Sequence, residues 1–133
     1  MNATREDHLK VAGASLYYEI RGAGPVLLMI PGRPADATAF AGIAPRLSDK
    51  HKVVAYEPRG LSQSPLDVLP EDQRIVETMA SDSHHLLAAV RSELAFVFAN
   101  SGGTLIGLEL VTHQPQQVQM LVAHEPPAFK AAI

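Results

Sequence analysis

Cysteine and tryptophan are absent from this sequence of 133 residues, and aromatic residues make up only 5% of it. The absence of cysteine excludes disulfide bonds and thiol chemistry and is compatible with a reducing cytosol, so we expect a cytoplasmic protein. No apolar run approaches the roughly 18 residues that a membrane helix needs. The polar N-terminus does not fit the pattern of a signal peptide, and we expect no interaction with a membrane.

The sequence also lacks a strong excess of positive or of negative residues. The sequence has 11 Lys and Arg against 14 Asp and Glu, and its formal net charge of -3 gives no electrostatic basis for binding nucleic acid. What is present is a hydrophobic fraction of 47%, which suffices for one core. Because no linker, repeat or low-complexity tract divides the chain, we expect a single domain over residues 1–133.

Apolar runs typical of strands alternate with segments typical of helices, and this alternation predicts an α/β fold with a mainly parallel sheet of about six strands and flanking helices. Gly22 and Gly24 predict a hairpin-type turn with antiparallel strands on either side. A short helix near residues 40–47 follows a candidate cap at Asp36, and Pro45 must either kink this helix or restart it. The strand-like runs are residues 15–20, 26–30, 52–56, 95–98 and 118–123, and the longer helical segments are 71–93 and 102–113.

The most informative segment is Phe98-Ala99-Asn100-Ser101-Gly102-Gly103. In a nucleophile elbow, a serine sits at strained backbone angles on a tight turn from a strand to a helix, so the residues two before and two after it must be small. Here those residues are Ala99 and Gly103. A glycine-rich turn without chemistry has the same five-residue pattern, but the apolar strand before it and the apolar helix after it favour the elbow.

From about Leu9 to Pro127 the chain resembles the N-terminal part of an α/β-hydrolase, and three separate loops carry the resemblance. Residues 30–35 (IPGRPA) are similar to the family's H-G or P-G-G-P-G turn, and residues 57–64 (EPRGLSQS) to its D-x-R-G-x-G-x-S segment. The third loop is the elbow at 99–103. The departures are Arg33, Ala35, Glu57 and Ser62, where the family more often has glycine or aspartate. The resemblance implies a truncated α/β-hydrolase fold that lacks the lid and the C-terminal strands.

The resemblance also implies an oxyanion hole built from two backbone N–H groups. One belongs to the residue after the nucleophile, Gly102, and the other to the loop after the third strand, most simply Arg33. The Arg33 side chain is either a filler, a surface ion pair or a contact for a carboxylate. Glu57 and Arg59 are expected to brace the loops around the elbow.

In this family the triad follows the order serine, acid, histidine, and only two histidines follow Ser101. His113 should lie about 18 Å away, at the far end of the helix that Ser101 begins. His124 follows the sixth strand, on the edge where parallel sheets place their ligands, so it is the candidate base, and Glu125 is the candidate acid. The family, however, has residues of this kind at the place of His124 without using them as a base, and Glu125 is alternatively a carboxylate that braces the loop. The other histidines are expected to lie on the surface or in solvent, at positions 8, 51, 84 and 85.

Two functions follow from these features. The first is a serine hydrolase that cleaves an ester, lactone or amide-like small molecule through an acyl-enzyme at Ser101. The family's epoxide hydrolases and dehalogenases use aspartate, so the serine disfavours them. The second is a truncated, weak or inactive hydrolase fragment that acts as an oligomerising domain.

Because residues 118–123 would form a bare edge strand, we expect a homodimer or a complementing C-terminal fragment. We expect no cofactor and no metal.

Overall fold

The computed structural model describes residues 4–32, 42–60, 64–66, 74–92 and 94–125. Two predicted features, the Asp36 cap and the Arg33 oxyanion donor, lie outside these residues. Within them the strands are β1 (Arg5–Val11), β2 (Ala14–Arg21), β3 (Val26–Ile30), β4 (Lys52–Tyr56), β5 (Ala95–Asn100) and β6 (Val118–His124). The helices are α1 (Ala44–Leu47), α2 (Ile75–Ala89) and α3 (Gly103–His113), followed by a 3-10 turn at Pro115–Gln117.

The strands form one sheet in the order β1-β2-β4-β3-β5-β6. β3 pairs in parallel with β4 and β5, β5 pairs in parallel with β6, and β1 and β2 are joined antiparallel at one side. The α/β fold with a mainly parallel sheet is therefore confirmed. Pro45 lies in the first turn of α1, where proline's missing N–H is tolerated, so of the two predicted effects of Pro45 the start of a helix is the one observed.

The hairpin prediction for β2 and β3 is wrong in one respect. The two strands run in opposite directions, but β4 lies between them and pairs with both. The physical reason is burial: all five residues of β3 are buried, and such a strand is stable in the centre of a sheet rather than in a solvent-facing hairpin. The first strand, β1, was not predicted at all, because its sequence REDHLKV is polar and largely exposed.

The sheet separates two apolar layers of unequal size. On one face, alternate residues of β3, β4 and β5 pack against α2 and α3, with Leu28, Val97 and Leu110 among the fully buried side chains. On the other face a smaller cluster joins Leu27, Met29, Val53 and Ala44 of α1, and Phe96 and Phe98 of β5 pack against it. In the described part of the chain, no helix has the length and apolar character that crossing a bilayer requires.

A buried ion pair braces the loop after β4. Arg59 Nε donates to Asp82 Oδ2 at 2.7 Å and Nη2 donates to Asp82 Oδ1 at 2.8 Å, while Nη2 also donates to the carbonyl oxygen of Ala12 at 2.8 Å. The hydrogen bonds to Asp82 raise the pKa of Arg59. Ser64 accepts from the Tyr17 amide and donates to the Glu57 carbonyl. These contacts tie the loop to α2, to β2 and to the turn after β1, whereas the expected bracing of the loops around the elbow stays a prediction.

Candidate active site

Ser101 lies on the turn between β5 and α3, as the sequence predicts. Its φ is 52°, in the left-handed region that side chains other than glycine rarely adopt. The next residue, Gly102, is the N-cap of α3 with a φ of -60°. The turn is closed by Thr104, whose amide and hydroxyl both donate to the Ser101 carbonyl, at 3.0 and 2.7 Å. The position of Ser101 on an elbow is therefore confirmed, and its chemical role stays a prediction.

Two glycines let other backbone segments reach the elbow. A Cβ on Gly32 would lie 2.9 Å from Ser101 Cβ and 3.2 Å from the Gly102 nitrogen, so the loop after β3 packs directly on the turn. A Cβ on Gly103 would lie 2.6 Å from the Ile30 carbonyl oxygen. At Gly102, by contrast, a Cβ would meet nothing within 4 Å. Gly103 must therefore be small, because the end of β3 leaves no room for a side chain there. Gly102 is not constrained by its neighbours.

Of the two predicted oxyanion donors, only the Gly102 amide lies among the described residues. The loop at Gly32 lies beside the Gly102 amide, which places one of the two predicted donors next to the loop that should supply the other. Arg33 itself lies outside the described residues. Backbone donors aimed at one point are what an oxyanion hole consists of, because they stabilise developing negative charge without reorganising.

His124 is the one histidine that the structure brings to the elbow. Asn100 and His124 are paired across β5 and β6, and the His124 carbonyl accepts the Ser101 amide at 2.9 Å. The His124 ring is stacked on Phe98, with centroids 5.9 Å apart and planes 25° apart, and its Nδ1 lies 3.0 Å from Asn100 Oδ1. Among the described residues, the Ser101 hydroxyl makes no hydrogen bond to His124 or to any other side chain.

The remaining histidines lie elsewhere, and all six histidines of the chain are among the described residues. His113 is paired with Glu109 at 2.6 Å near the far end of α3, as expected. His84 is half-buried and its Nδ1 lies 2.8 Å from Gln117 Oε1, so the prediction that it is simply solvated is wrong. The rings of His8 and Tyr17 meet edge to face, as do those of His51 and Phe96, and His85 lies against His84.

Glu125, the predicted acid, follows His124 at the end of β6. Its φ is 52°, so the two strand ends that meet here each carry a residue other than glycine in the left-handed region. Its side chain is exposed, and in the described part of the chain it makes no hydrogen bond to Ser101 or His124. No group of three or more His, Asp or Glu side chains among residues 4–32, 42–60, 64–66, 74–92 and 94–125 is arranged to hold a metal ion.

Sequence reasoning missed two residues of this site. Asn100 contacts His124, and Gly32 contacts Ser101, yet neither contact is visible in the local pattern. The only sequence signal for Asn100 was its place next to the serine. The signal for Gly32 was its place in the loop that resembles the family's oxyanion turn.

Comparison with known proteins identifies the family. A model of the alpha/beta hydrolase fold matches residues 25–132. The chain is 42% identical over 118 residues to the "Uncharacterized hydrolase YraK" of Bacillus subtilis (strain 168), covering 89% of this chain and 43% of that protein. It is 34% identical over 108 residues to the "Putative carbamate hydrolase RutD" of Azorhizobium caulinodans, covering 81% and 40%.

A solved structure agrees with these relatives. The "putative epoxide hydrolase" from Pseudomonas aeruginosa superposes with a TM-score of 0.85 at 26% identity, covering 91% of this chain and 41% of that one. The chain thus spans about two-fifths of the length of each of these proteins. The family model, the relatives and the strained serine between β5 and α3 agree, and the chain belongs to the family of proteins with the alpha/beta hydrolase fold.

Proposed function

We propose that this protein is a serine hydrolase that cleaves an ester, lactone or amide-like bond of a small molecule through an acyl-enzyme on Ser101. The observation that carries the proposal is the backbone of Ser101, which holds a φ of 52° while Gly32 packs against it. Strain of this kind persists where the surrounding structure enforces it, and it clusters at functional sites. The relatives named as a hydrolase and a carbamate hydrolase support hydrolytic chemistry at a carbonyl group.

The proposed reaction has two halves. In the first, Ser101 Oγ forms a bond to the substrate's carbonyl carbon and loses its proton to a base, while the bond to the leaving group breaks and the leaving group takes that proton. The backbone N–H of Gly102, with that of Arg33, stabilises the oxyanion. In the second half, a water oxygen bonds to the acyl carbon and gives a proton to the base, the bond from that carbon to Ser101 Oγ breaks, and Oγ takes the proton back as the acid is released. Within this chain His124 is the candidate base and Glu125 the candidate acid.

A second candidate function rests on a different observation. None of the six histidines is hydrogen-bonded to the Ser101 hydroxyl, and β6 is an exposed edge strand whose Met120 and Val122 are 56% and 46% exposed. Both features fit a weak or inactive domain whose β6 edge pairs with a second copy or with a C-terminal fragment. A cytoplasmic location also stays a prediction, since it depends on the lack of cysteine.

Hydrolysis of p-nitrophenyl acetate tests the first function. We expect slow turnover with a burst of p-nitrophenol, and we expect Ser101→Ala to abolish both. His113→Ala is the matched control, because His113 pairs with Glu109 away from the elbow and its loss should leave hydrolysis unchanged. Turnover that persists in Ser101→Ala contradicts the proposal. No burst and no turnover in the native chain, together with self-association, favours the second candidate.

A further inference from the structure

A cavity of about 530 Å³ lies at the end of the sheet opposite to the elbow, between β1, β2, β4 and the C-terminal end of α2. Val53 and Phe96 both pair with Leu27, so Ser101, beyond the last residue of β5, lies roughly 16 Å farther along the strands than Val53. The cavity is therefore separate from the candidate active site. Its volume falls within the range of roughly 300–1,000 Å³ that small-molecule sites have.

Three positively charged side chains from distant segments meet at this cavity. Arg5 begins β1, Lys52 begins β4, and Arg91 follows the end of α2. Lys52 Nζ donates to the Val90 carbonyl at 3.2 Å, which holds the ammonium group at the end of the helix. That helix end carries a partial negative charge of about half an elementary charge, which offsets only part of the charge of Lys52. The remaining like charges repel one another, and an anion bound among them relieves the repulsion.

The carboxylates near the cavity do not balance these charges. Glu6 lies near Tyr17, on the other face of the sheet from Tyr18, because successive side chains of a strand point to opposite faces. Asp7 is the carboxylate on the cavity side. Burial raises the pKa of Tyr18, the negative charge of Asp7 raises it as well, and the positive charge of Arg5 lowers it, so both groups lie near the Tyr18 hydroxyl. One carboxylate thus faces three cations.

Arg91 occupies a backbone position that favours glycine. Its φ is 58°. The Arg91 amide donates to the Ala88 carbonyl at 3.1 Å and the Ser92 amide to the Leu87 carbonyl at 3.0 Å, which is the hydrogen-bond pattern of a Schellman motif. Glycine adopts the left-handed conformation of this motif without strain and arginine does not. Strain of this kind clusters at functional sites, and the strained residue here supplies a guanidinium group to the cavity.

We propose that this cavity binds a small molecule that carries a phosphate group, held by Arg5, Lys52 and Arg91. The planar guanidinium groups match the geometry of phosphate oxygens, and the ammonium group contributes a compact charge. Three cations and one carboxylate leave about two positive charges, which fits a phosphate monoester near pH 7 better than a single carboxylate. The buried side chains of Ile20 and Val90 give the organic part of the ligand an apolar wall.

Isothermal titration calorimetry with two phosphate monoesters tests the proposal. Adenosine 5'-monophosphate and glucose 6-phosphate are the probes, and adenosine and glucose are their uncharged counterparts. We expect at least one of the two phosphates to bind and its uncharged counterpart not to bind. The tighter of the two phosphates then shows whether the organic part is a base or a sugar. Binding of neither phosphate overturns the proposal, and so does equal binding of a phosphate and its uncharged counterpart.

Arg91→Gly separates binding from folding. This variant should raise the Kd of the phosphate at least about tenfold, while its Tm should not fall, because glycine suits the left-handed position. Arg74→Gly is the matched control, since Arg74 is the exposed N-cap at the other end of α2 and carries the same charge. Its Kd should stay within about twofold of the native value. An unchanged Kd in Arg91→Gly, or an equal loss of affinity in both variants, overturns the proposal.

Two further variants complete the test. Asp7→Asn removes the one carboxylate on the cavity side and should lower the Kd several-fold; a Kd that does not fall overturns the proposal, because the charge of the cavity then does not govern binding. Ser101→Ala should bind the phosphate as tightly as the native chain does. Loss of binding in Ser101→Ala would place the phosphate at the elbow and overturn the proposal. The phosphate site and the proposed hydrolase function are thus tested independently.

Discussion

The two edges of the sheet differ in how they meet solvent. β1 carries four charged residues among its seven (Arg5, Glu6, Asp7 and Lys10), whereas β6 has no Lys, Arg, Asp or Glu among its seven. Charged residues on an edge strand prevent it from pairing with other chains, and an uncharged edge has no such protection. We therefore expect β6, and not β1, to be the edge that pairs with a further strand.

The two sides are also held by different interactions. On the β1 side, the buried Arg59–Asp82 pair links α2 to the turn after β1 through the Ala12 carbonyl. On the β6 side, α3 packs through glycine: a Cβ on Gly107 would lie 3.0 Å from a methyl of Leu121 and 3.3 Å from Ala99. Packing on the β1 side thus depends on a buried ion pair, and packing on the β6 side depends on the close approach of α3 to the sheet.

The largest expected effect concerns the buried pair. Asp82→Asn leaves the Arg59 guanidinium buried without its counter-charge, and we expect the free energy of unfolding to fall by about 3–5 kcal/mol in urea denaturation. Arg59→Met combined with Asp82→Leu removes both charges and should recover much of that loss. An Asp82→Asn variant as stable as the native chain would show that the charged side is held by packing alone.

The next largest loss of stability is expected from a substitution in α3, the helix that packs through glycine. Gly103→Ala forces a methyl group to within 2.6 Å of the Ile30 carbonyl oxygen and 2.7 Å of the Pro31 carbonyl oxygen, which is overpacking against backbone. We expect a loss of about 2–3 kcal/mol in the free energy of unfolding. Gly102→Ala is the adjacent control, because its methyl group meets nothing within 4 Å, and its stability should stay within about 0.5 kcal/mol of the native value. Equal losses in both variants would contradict the packing argument.

A charge on the β6 edge tests the contrast between the edges directly. We expect the native chain to self-associate in sedimentation velocity, and Met120→Lys to weaken that association at least about tenfold, because two like charges would meet across the paired strands. Asp7→Lys on β1 exchanges one charge for another and should leave the association unchanged. A native chain that sediments as a monomer at every concentration would show that β6 is covered by other means.

The smallest expected effect is a change of the free energy of unfolding with pH, and the groups that cause it lie on the β1 side of the sheet. All three tyrosines lie on β2 and β4, and burial raises the pKa of Tyr17, Tyr18 and Tyr56 above the usual value. Below about pH 10 their contribution to stability is complete. At higher pH the unfolded chain ionises while the folded chain keeps its protons, so the free energy of unfolding should fall.

Tyr56→Phe measures how much of this pH dependence of stability comes from a single tyrosine. The variant loses the hydrogen bond between the Tyr56 hydroxyl and Ser83 Oγ, at 2.7 Å, and should be about 1 kcal/mol less stable at pH 7. Its urea midpoint should fall less steeply than that of the native chain between pH 10 and pH 12, the range about the pKa of free tyrosine and above. An identical slope in both proteins would show that Tyr56 ionises normally.

The sequence by itself determined the local features of this protein. The alternation of apolar runs and helical segments predicts five of the six strands, and β3 and β4 are found at the predicted bounds. Ser101 is found on the turn where Ala99 and Gly103 place it. These features depend on neighbours only a few residues away, and hydrophobic periodicity and glycine report them directly.

Only the tertiary structure decided which distant segments meet. The insertion of β4 between β2 and β3, the role of the charged segment Arg5–Val11 as an edge strand, and the contact of His124 with Asn100 all depend on the register of segments far apart in the chain. Register is set by how whole faces of strands are buried together, and a one-residue slip would move every side chain to the other face. No local pattern records that choice, which is why the partner of His124 could not be predicted.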